Sequence, residues 1–84
     1  MNLTWTEESW EDYVYWQQID KKVLKKINTL IRDIKREPFG GIGKPEPLKH
    51  ELAGYWSRRI TDEHRLVYEV TDYTVIVISC RFHY

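Results

Sequence analysis

Seven polar residues in the second half of the chain are of the types that cleave phosphodiester bonds without a metal ion. One group must take the proton of a 2′-hydroxyl, and another must give a proton to the leaving 5′-oxygen. A fixed positive charge must also meet the charge that builds on the phosphoryl oxygens, and arginine does this through bidentate contacts. A carboxylate, an imidazole, a phenol and four cations supply these types: Glu46, Lys49, Arg59, Arg65, Arg81, His83 and Tyr84.

Each of these residues also has an ordinary structural role. His83 lies near the end of the sequence, where histidines are usually surface residues, and Glu46 stands between two prolines in a loop. Arg59 and Arg65 lie on neighbouring predicted strands, where they can pair with acidic residues across a sheet. Tyr84 is the last residue. Residue type and spacing therefore leave both the catalytic and the structural interpretation open.

Three predicted strands must position most of these side chains: residues 53–60, 64–70 and 75–84. Side chains alternate between the two faces of a strand, so a period of two predicts one packed face and one solvated face. The packed face is predicted to collect Trp56, Ile60, Leu66, Tyr68, Val70, Ile76, Ile78, Cys80 and Phe82. The solvated face is predicted to collect Arg59, Arg65, Arg81 and His83. Arg58 falls on the packed side and breaks the alternation.

Two helices are predicted before these strands. Thr6 is a good N-cap for a helix that runs to about Ile19, after a short edge strand at residues 2–5. Its predicted apolar stripe is Trp10, Tyr13, Val14 and Gln17. Asp20 caps a second helix that should end before Pro38, with its apolar face at Val23, Ile27, Leu30, Ile31 and Ile34. The rest of this helix is strongly basic: residues 21–36 hold seven bases and one acid, Asp33.

The segment from Phe39 to Pro47 is a loop by composition and lacks the phosphate-binding P-loop pattern, because Lys44 is followed by proline. A further strand is predicted at residues 48–52. The element order is therefore β-α-α-β-β-β-β, an α+β fold in which a helical hairpin packs on one face of a twisted antiparallel sheet.

Composition narrows the classes of protein. A chain of 84 residues predicts one domain, residues 1–84, and its formal net charge of zero gives no overall nucleic-acid signature. A single cysteine excludes an internal disulfide, and the three histidines lack metal-ligand spacing, so no cofactor or metal is predicted. No stretch resembles a signal peptide or a membrane span, which predicts a cytoplasmic protein with no membrane contact.

Four motifs resemble those of the YoeB toxin family, a branch of the RelE/ParE superfamily of bacterial toxin–antitoxin systems. They are K-P-E-P-L-K-H at 44–50, G-Y-W-S-R-R-I at 54–60, E-H-R-L-V-Y at 63–68 and C-R-F-H-Y at 80–84. The start, W-x-x-E-S-W-x-D-Y at 5–13, also resembles the family, so the resemblance spans essentially the whole chain.

The resemblance implies a ribosome-dependent endoribonuclease that cuts mRNA at the A-site codon and stops translation. The family's roles fall on Glu46 as general base, His83 as general acid and Arg65 as the group that stabilises the transition state. Lys49, Arg59 and Tyr84 would help to bind the RNA. The implied partners are a YefM-type antitoxin, the small ribosomal subunit with its mRNA, and a second copy of the chain in a homodimer.

Two other functions remain open. A relative in the same superfamily poisons DNA gyrase without cleaving RNA, although the presence of both Glu46 and His83 argues against this activity. A non-catalytic module that binds RNA or ribosomes would use the basic helix and exposed aromatic residues.

Overall fold

The chain forms a short strand and two helices before most of its sheet. The computed structural model describes residues 1–82. Its elements are β1 (Asn2–Trp5), α1 (Glu7–Ile19), α2 (Lys21–Arg36), β2 (Glu46–Pro47), a 3₁₀ turn (His50–Leu52), β3 (Trp56–Arg59), β4 (Arg65–Thr71) and β5 (Thr74–Ser79). The α+β class and the helical hairpin are therefore confirmed, and His83 and Tyr84 lie outside the described residues.

Both helices begin at the predicted caps. The Ser9 N–H donates to Oγ1 of Thr6 at 3.1 Å, and the N–H groups of Lys22 and Val23 donate to Oδ1 of Asp20. Each cap satisfies backbone donors that have no partner inside the first turn. The predicted core face of α2 is confirmed, because all five of its apolar positions are buried.

The predicted stripe of α1 is wrong. Ser9 and Trp16 are its buried residues, whereas Trp10 is 48% exposed. Trp16 turns towards the sheet because its indole N–H donates to the Cys80 carbonyl at 2.9 Å. Trp10 instead packs edge-on against Trp5 at the surface.

The sheet is mixed, and the prediction of a wholly antiparallel sheet is wrong. The strand order is β1-β5-β4-β3-β2, and β1 runs parallel to β5 while the other pairs are antiparallel. The hairpin-connected strands β3, β4 and β5 leave one edge of β5 unpaired, and β1 covers that edge. A period-two pattern reports which face a side chain takes and carries no information about strand direction.

The faces of β5 are the reverse of the prediction. Val75 and Val77 are fully buried against the helices, whereas Ile76 and Ile78 lie outside the main core. Val77 pairs with Tyr68 of β4, and cross-strand partners share a face, so Val77 follows Tyr68 into the core. Because β5 ends at Ser79, Cys80 is not bound by this alternation, and it is buried as predicted.

The strand predicted at residues 48–52 is also wrong. Only Glu46 and Pro47 pair with β3, and the chain then turns through the 3₁₀ turn at His50–Leu52. His50 has a φ of +58°, a left-handed conformation that ends an extended path. A two-residue edge strand also tolerates proline, which cannot donate to a sheet ladder.

Candidate active site

Arg59 and Arg65 stand directly opposite each other on β3 and β4. The N–H of Arg59 donates outwards to the Gly43 carbonyl at 2.7 Å, and that of Arg65 donates outwards to the Phe82 carbonyl at 3.1 Å. The arginines are therefore a non-hydrogen-bonded pair, the arrangement in which Cα atoms approach to about 4.5 Å. Directly opposed like charges destabilise a sheet, so this pair is more consistent with an anion site than with a structural role.

Glu46 lies on the same face of the sheet as the two arginines. It pairs with Ser57, and Ser57 pairs with Val67 on β4. Residues two apart on a strand share a face, which places the side chains of Ser57 and Arg59, and of Val67 and Arg65, on one side. The register thus brings together a carboxylate and two guanidiniums on the face opposite the helices, as the sequence predicts.

A cleft beside β2 adds Lys49 to this face. It has a volume of about 290 Å³ and is lined by Glu46, Pro47, Leu48, Lys49, His50 and Leu52. The 3₁₀ turn after β2 forms its wall, with the Leu52 N–H donating to the Lys49 carbonyl at 3.2 Å. Glu46 and Lys49 are both exposed. An exposed carboxylate and an exposed ammonium in one cleft fit a polar, charged substrate.

The guanidinium of Arg65 is anchored by the turn before its own strand. Nη1 donates to the carbonyls of Thr61, Asp62 and His64 at 2.6, 3.1 and 3.1 Å. Nε and Nη2 make no hydrogen bond to residues 1–82. The side chain is therefore oriented by one nitrogen while its other donors remain available to a phosphate, which arginine binds through two parallel N–H groups.

Arg58 positions the loop that leads to β2, a role that the sequence did not reveal. Its guanidinium is fully buried and donates to the carbonyls of Glu37, Gly40 and Ile42 at 2.7, 2.6 and 3.0 Å. Nη1 also pairs with Oδ2 of Asp33 at 2.6 Å. These bonds fix the loop on α2 and β3, and so fix the start of β2 and Glu46.

The bonds to Asp33 come from the loop, from Arg58 and from Arg36. The Ile42 N–H and these two guanidiniums hold the pKa of the Asp33 carboxyl at about 2, below its usual value of 3.8. The signal for this pair in the sequence is that Asp33 is the one acid of α2 and Arg58 the one arginine on a packed strand face. Tyr68 completes the arrangement, since its hydroxyl accepts from Nε of Arg58 and donates to the Pro38 carbonyl.

The segment after β5 lies against α1 and the β3–β4 turn. The Cys80 N–H donates to Oδ2 of Asp12 at 3.1 Å, and burial raises the pKa of the Cys80 thiol to about 12. Arg81 does not join the solvated face, contrary to the prediction, because its guanidinium lies 3.6 Å from the ring centre of Tyr15 on α1. Phe82 then reaches the β3–β4 turn, where its carbonyl accepts from Arg65.

Of the six predicted site residues, the described part of the chain brings Glu46, Arg59 and Arg65 to one face of the sheet and places Lys49 in the cleft beside Glu46. The other two, His83 and Tyr84, lie outside the described residues, and the roles of all six remain predictions. Among residues 1–82, no cluster of three or more His, Cys, Asp or Glu side chains is arranged to hold a metal ion.

Residues 5–84 match the model of the YoeB-like toxins of bacterial type II toxin–antitoxin systems. The chain belongs to this family. It is 64% identical to toxin YoeB of Escherichia coli K12 over 84 residues, which is 100% of both chains. The match to the YoeB family confirms the resemblance that the four motifs indicated.

Solved YoeB structures share the fold. A YoeB/ParE toxin from Agrobacterium tumefaciens matches with a TM-score of 0.98 and 59% identity, covering 100% of each chain. YoeB from Staphylococcus aureus matches with a TM-score of 0.93 and 53% identity, covering 100% of this chain and 98% of that one. The Staphylococcus aureus protein has been solved as a dimer and as a heterotetrameric YoeB–YefM toxin–antitoxin complex. Within residues 1–82 of this YoeB-family toxin, neither helix is long and apolar enough to cross a membrane.

Proposed function

We propose that this YoeB-family toxin is a metal-independent endoribonuclease that cuts mRNA at the A-site codon of the ribosome. The observation that carries the proposal is the alignment of Glu46 with the opposed Arg59 and Arg65 on one face of the sheet. Opposed arginines cost stability in the free protein, and an RNA phosphate between them offsets that repulsion. A site that only bound an anion would not need a carboxylate. RNA cleavage needs a general base, and Glu46 supplies it.

The reaction uses the RNA's own 2′-hydroxyl. The carboxylate of Glu46 takes the 2′-hydroxyl proton, and the 2′-oxygen attacks the adjacent phosphorus. Arg65 stabilises the charge that develops on the phosphoryl oxygens. The imidazolium of His83 gives its proton to the 5′-oxygen as the P–O bond breaks. The products are a 2′,3′-cyclic phosphate and a 5′-hydroxyl. Glu46 has gained one proton and His83 has lost one, so the protons balance.

The remaining predicted residues bind the substrate. Lys49 shares the cleft with Glu46, and Arg59 faces Arg65, which supports the proposal that both contact phosphates flanking the cut. Tyr84 is proposed to contact the RNA beside His83. Because the substrate is mRNA held on the small ribosomal subunit, the toxin is proposed to act in the cytoplasm.

The partners follow from the family. The Staphylococcus aureus relative was solved as a dimer and in complex with YefM. We infer that a YefM-type antitoxin binds and inhibits this toxin and that the toxin forms a homodimer. Size-exclusion chromatography with light scattering, with and without such an antitoxin, measures both assemblies.

The activity is tested by mapping 5′ ends on a defined mRNA held on ribosomes, in excess chelator. The wild type should cut at the A-site codon, whereas Glu46→Gln and His83→Gln should each lower the single-turnover rate by about 10²–10⁴-fold. Glu51→Gln is the matched control, because Glu51 is an exposed acid in the turn beside the cleft. Equal cutting by the wild type and His83→Gln, or cutting that requires a metal, would overturn the proposal.

The outer face of α2 favours a second function, binding to RNA without cleavage. It exposes seven bases: Lys21, Lys22, Lys25, Lys26, Arg32, Lys35 and Arg36. Under this alternative, charge reversal at Lys21, Lys22, Lys25 and Lys26 abolishes translation inhibition while His83→Gln leaves it intact. The nuclease proposal requires the loss in His83→Gln, with ribosome association retained.

A further inference from the structure

Phe82 is held by both polar groups of its backbone. Its N–H donates to Nδ1 of His64 at 2.7 Å, and its carbonyl accepts from the Arg65 N–H at 3.1 Å. Phe82 also has a φ of +63°, a left-handed conformation that an aromatic residue rarely adopts without support. Its side chain is 52% exposed, so burial of the ring is not the main support. The two hydrogen bonds therefore fix this turn of the chain.

The ring of His64 is itself fixed. It packs edge-on against the buried Trp16, with ring centres 4.7 Å apart, and its side chain is only 12% exposed. The Oγ1 of Thr61 accepts the His64 backbone N–H at 3.1 Å. The same turn anchors the guanidinium of Arg65 through the Thr61 carbonyl at 2.6 Å. The turn between β3 and β4 thus holds two groups. His64 holds the backbone of Phe82, and the Thr61 carbonyl orients the guanidinium of Arg65.

The hydrogen bond also sets the tautomer of His64. An acceptor Nδ1 carries no proton, so the proton of the neutral ring is on Nε2. Oε1 of Glu63 lies 3.6 Å from Nε2. The other side chains packed on the ring, Trp16 and Phe82, are not ionisable at neutral pH. The hydrogen bond and the ring contacts thus define one orientation of the His64 ring.

We propose that His64 is a positioning residue for RNA cleavage, which acts through the backbone of Phe82 on the general acid His83. The inference rests on the proposed function. His83 follows Phe82 directly in the sequence. The two hydrogen bonds of the Phe82 backbone, to His64 and Arg65, form a clamp that fixes the residue to which the general acid is bonded. The residues before the clamp are equally fixed, because Trp16 and Asp12 hold both polar groups of the Cys80 backbone. A general acid misplaced by about 1 Å loses about 10²-fold in rate.

Three variants separate this role from a structural one. His64→Phe keeps a ring against Trp16 and removes the acceptor, while His64→Asn keeps an acceptor near the position of Nδ1 and removes the ring. Glu63→Gln, the matched control, removes the charge beside Nε2 and leaves Nδ1 untouched. The clamp lies at the surface, so water replaces the lost acceptor and the fold should survive in His64→Phe. Melting temperature and circular dichroism check this directly.

The readouts are single-turnover cleavage on programmed ribosomes and hydrogen exchange of the Phe82 amide in the free toxin. We expect kcat to fall about 10–100-fold in His64→Phe with KM within about threefold, and exchange of the Phe82 amide to accelerate. His64→Asn should recover kcat to within about threefold of the wild type, and Glu63→Gln should match the wild type.

The outcomes distinguish this inference from the proposed function. A wild-type kcat in His64→Phe, with faster Phe82 exchange, overturns the role of His64 while the nuclease stands. Equal losses in His64→Phe and His64→Asn that track melting temperature show that the ring is merely structural, which also overturns it. If the wild type fails to cut RNA, the nuclease proposal and the role of His64 in cleavage are both overturned. A Phe82 amide that is protected from exchange would then show that the hydrogen bond to His64 forms without serving catalysis.

Discussion

Nη1 of Arg58 lies 2.6 Å from Oδ2 of Asp33, and this buried ion pair joins the sheet to the helix that covers it. Four further hydrogen bonds link Arg58 to Tyr68 and to the carbonyls of the loop at residues 37–42. These polar bonds hold the loop against α2 and β3. The position of Glu46, which follows this loop, therefore depends on a residue on the opposite side of the sheet.

Replacing Arg58 should strongly destabilise the protein. Arg58→Met removes the guanidinium from three carbonyls and from the Asp33 carboxylate, which keeps its bonds to the Ile42 N–H and Arg36, and breaking such a buried pair costs about 3–5 kcal/mol. Denaturant unfolding measures this loss. Arg59→Met, one residue along the same strand but exposed, removes a like charge opposite Arg65 and should therefore not destabilise the protein, with a gain in stability of up to about 1 kcal/mol. Similar losses in the two variants would contradict a special role for the buried pair.

Acid should weaken the fold through Asp33. Its folded pKa of about 2 lies below the usual 3.8, so the unfolded chain takes up the proton first as the pH falls. The stability that Asp33 contributes is therefore complete above about pH 4 and is lost progressively towards pH 2. Urea midpoints measured from pH 5 to pH 2 should fall less steeply in Asp33→Asn than in the wild type.

Asp12 supplies a control of opposite sign for that experiment. Burial raises the pKa of its carboxyl, so its contribution favours the folded state at low pH and is lost as the pH rises. Asp12→Asn should therefore make the acid loss steeper than in the wild type. An Asp33→Asn variant that loses stability as steeply as the wild type would rule out the Asp33–Arg58 pair as the source.

Gly41 should tolerate alanine far less than Gly54 does. Both have positive φ, +99° and +102°, so both variants strain the backbone. A Cβ at Gly41 would collide with the Asp33 carboxylate, whereas a Cβ at Gly54 meets no atom within 4 Å. The difference in unfolding free energy between Gly41→Ala and Gly54→Ala isolates that collision from the shared strain. Equal losses would show that the loop moves away without cost.

Neutralising Arg59 should stabilise the free protein and weaken its contact with RNA. Arg59→Gln removes a like-charge pair with Arg65, which should raise stability by up to about 1 kcal/mol. It also removes one phosphate contact, which should reduce the slope of log K against log salt for single-stranded RNA by about 0.7. Thermal unfolding and binding at several salt concentrations test both effects. An unchanged salt slope would mean that Arg59 does not contact a phosphate.

Local patterns in the sequence were enough to predict the helices, their caps and the face that Arg59 and Arg65 share on β3 and β4. Thr6 and Asp20 cap as expected because a cap depends on neighbours within three residues. Arg59 and Arg65 share the solvated face because their strands are regular and joined by a short turn. The motifs around Glu46 and Arg65 likewise led to the toxin family, since they lie in continuous stretches of the chain.

Only the tertiary structure decided what depends on distant partners. The uniformly apolar run of β5 has no pattern to show which side is inside, and pairing with Tyr68 chose Val77. The buried Arg58 finds its partners in α2 and in a loop distant in the sequence, and His64 binds a residue 18 positions away. Strand direction at β1 and the positioning roles of Arg58 and His64 arise from contacts between remote segments, which short-range periodicity does not encode.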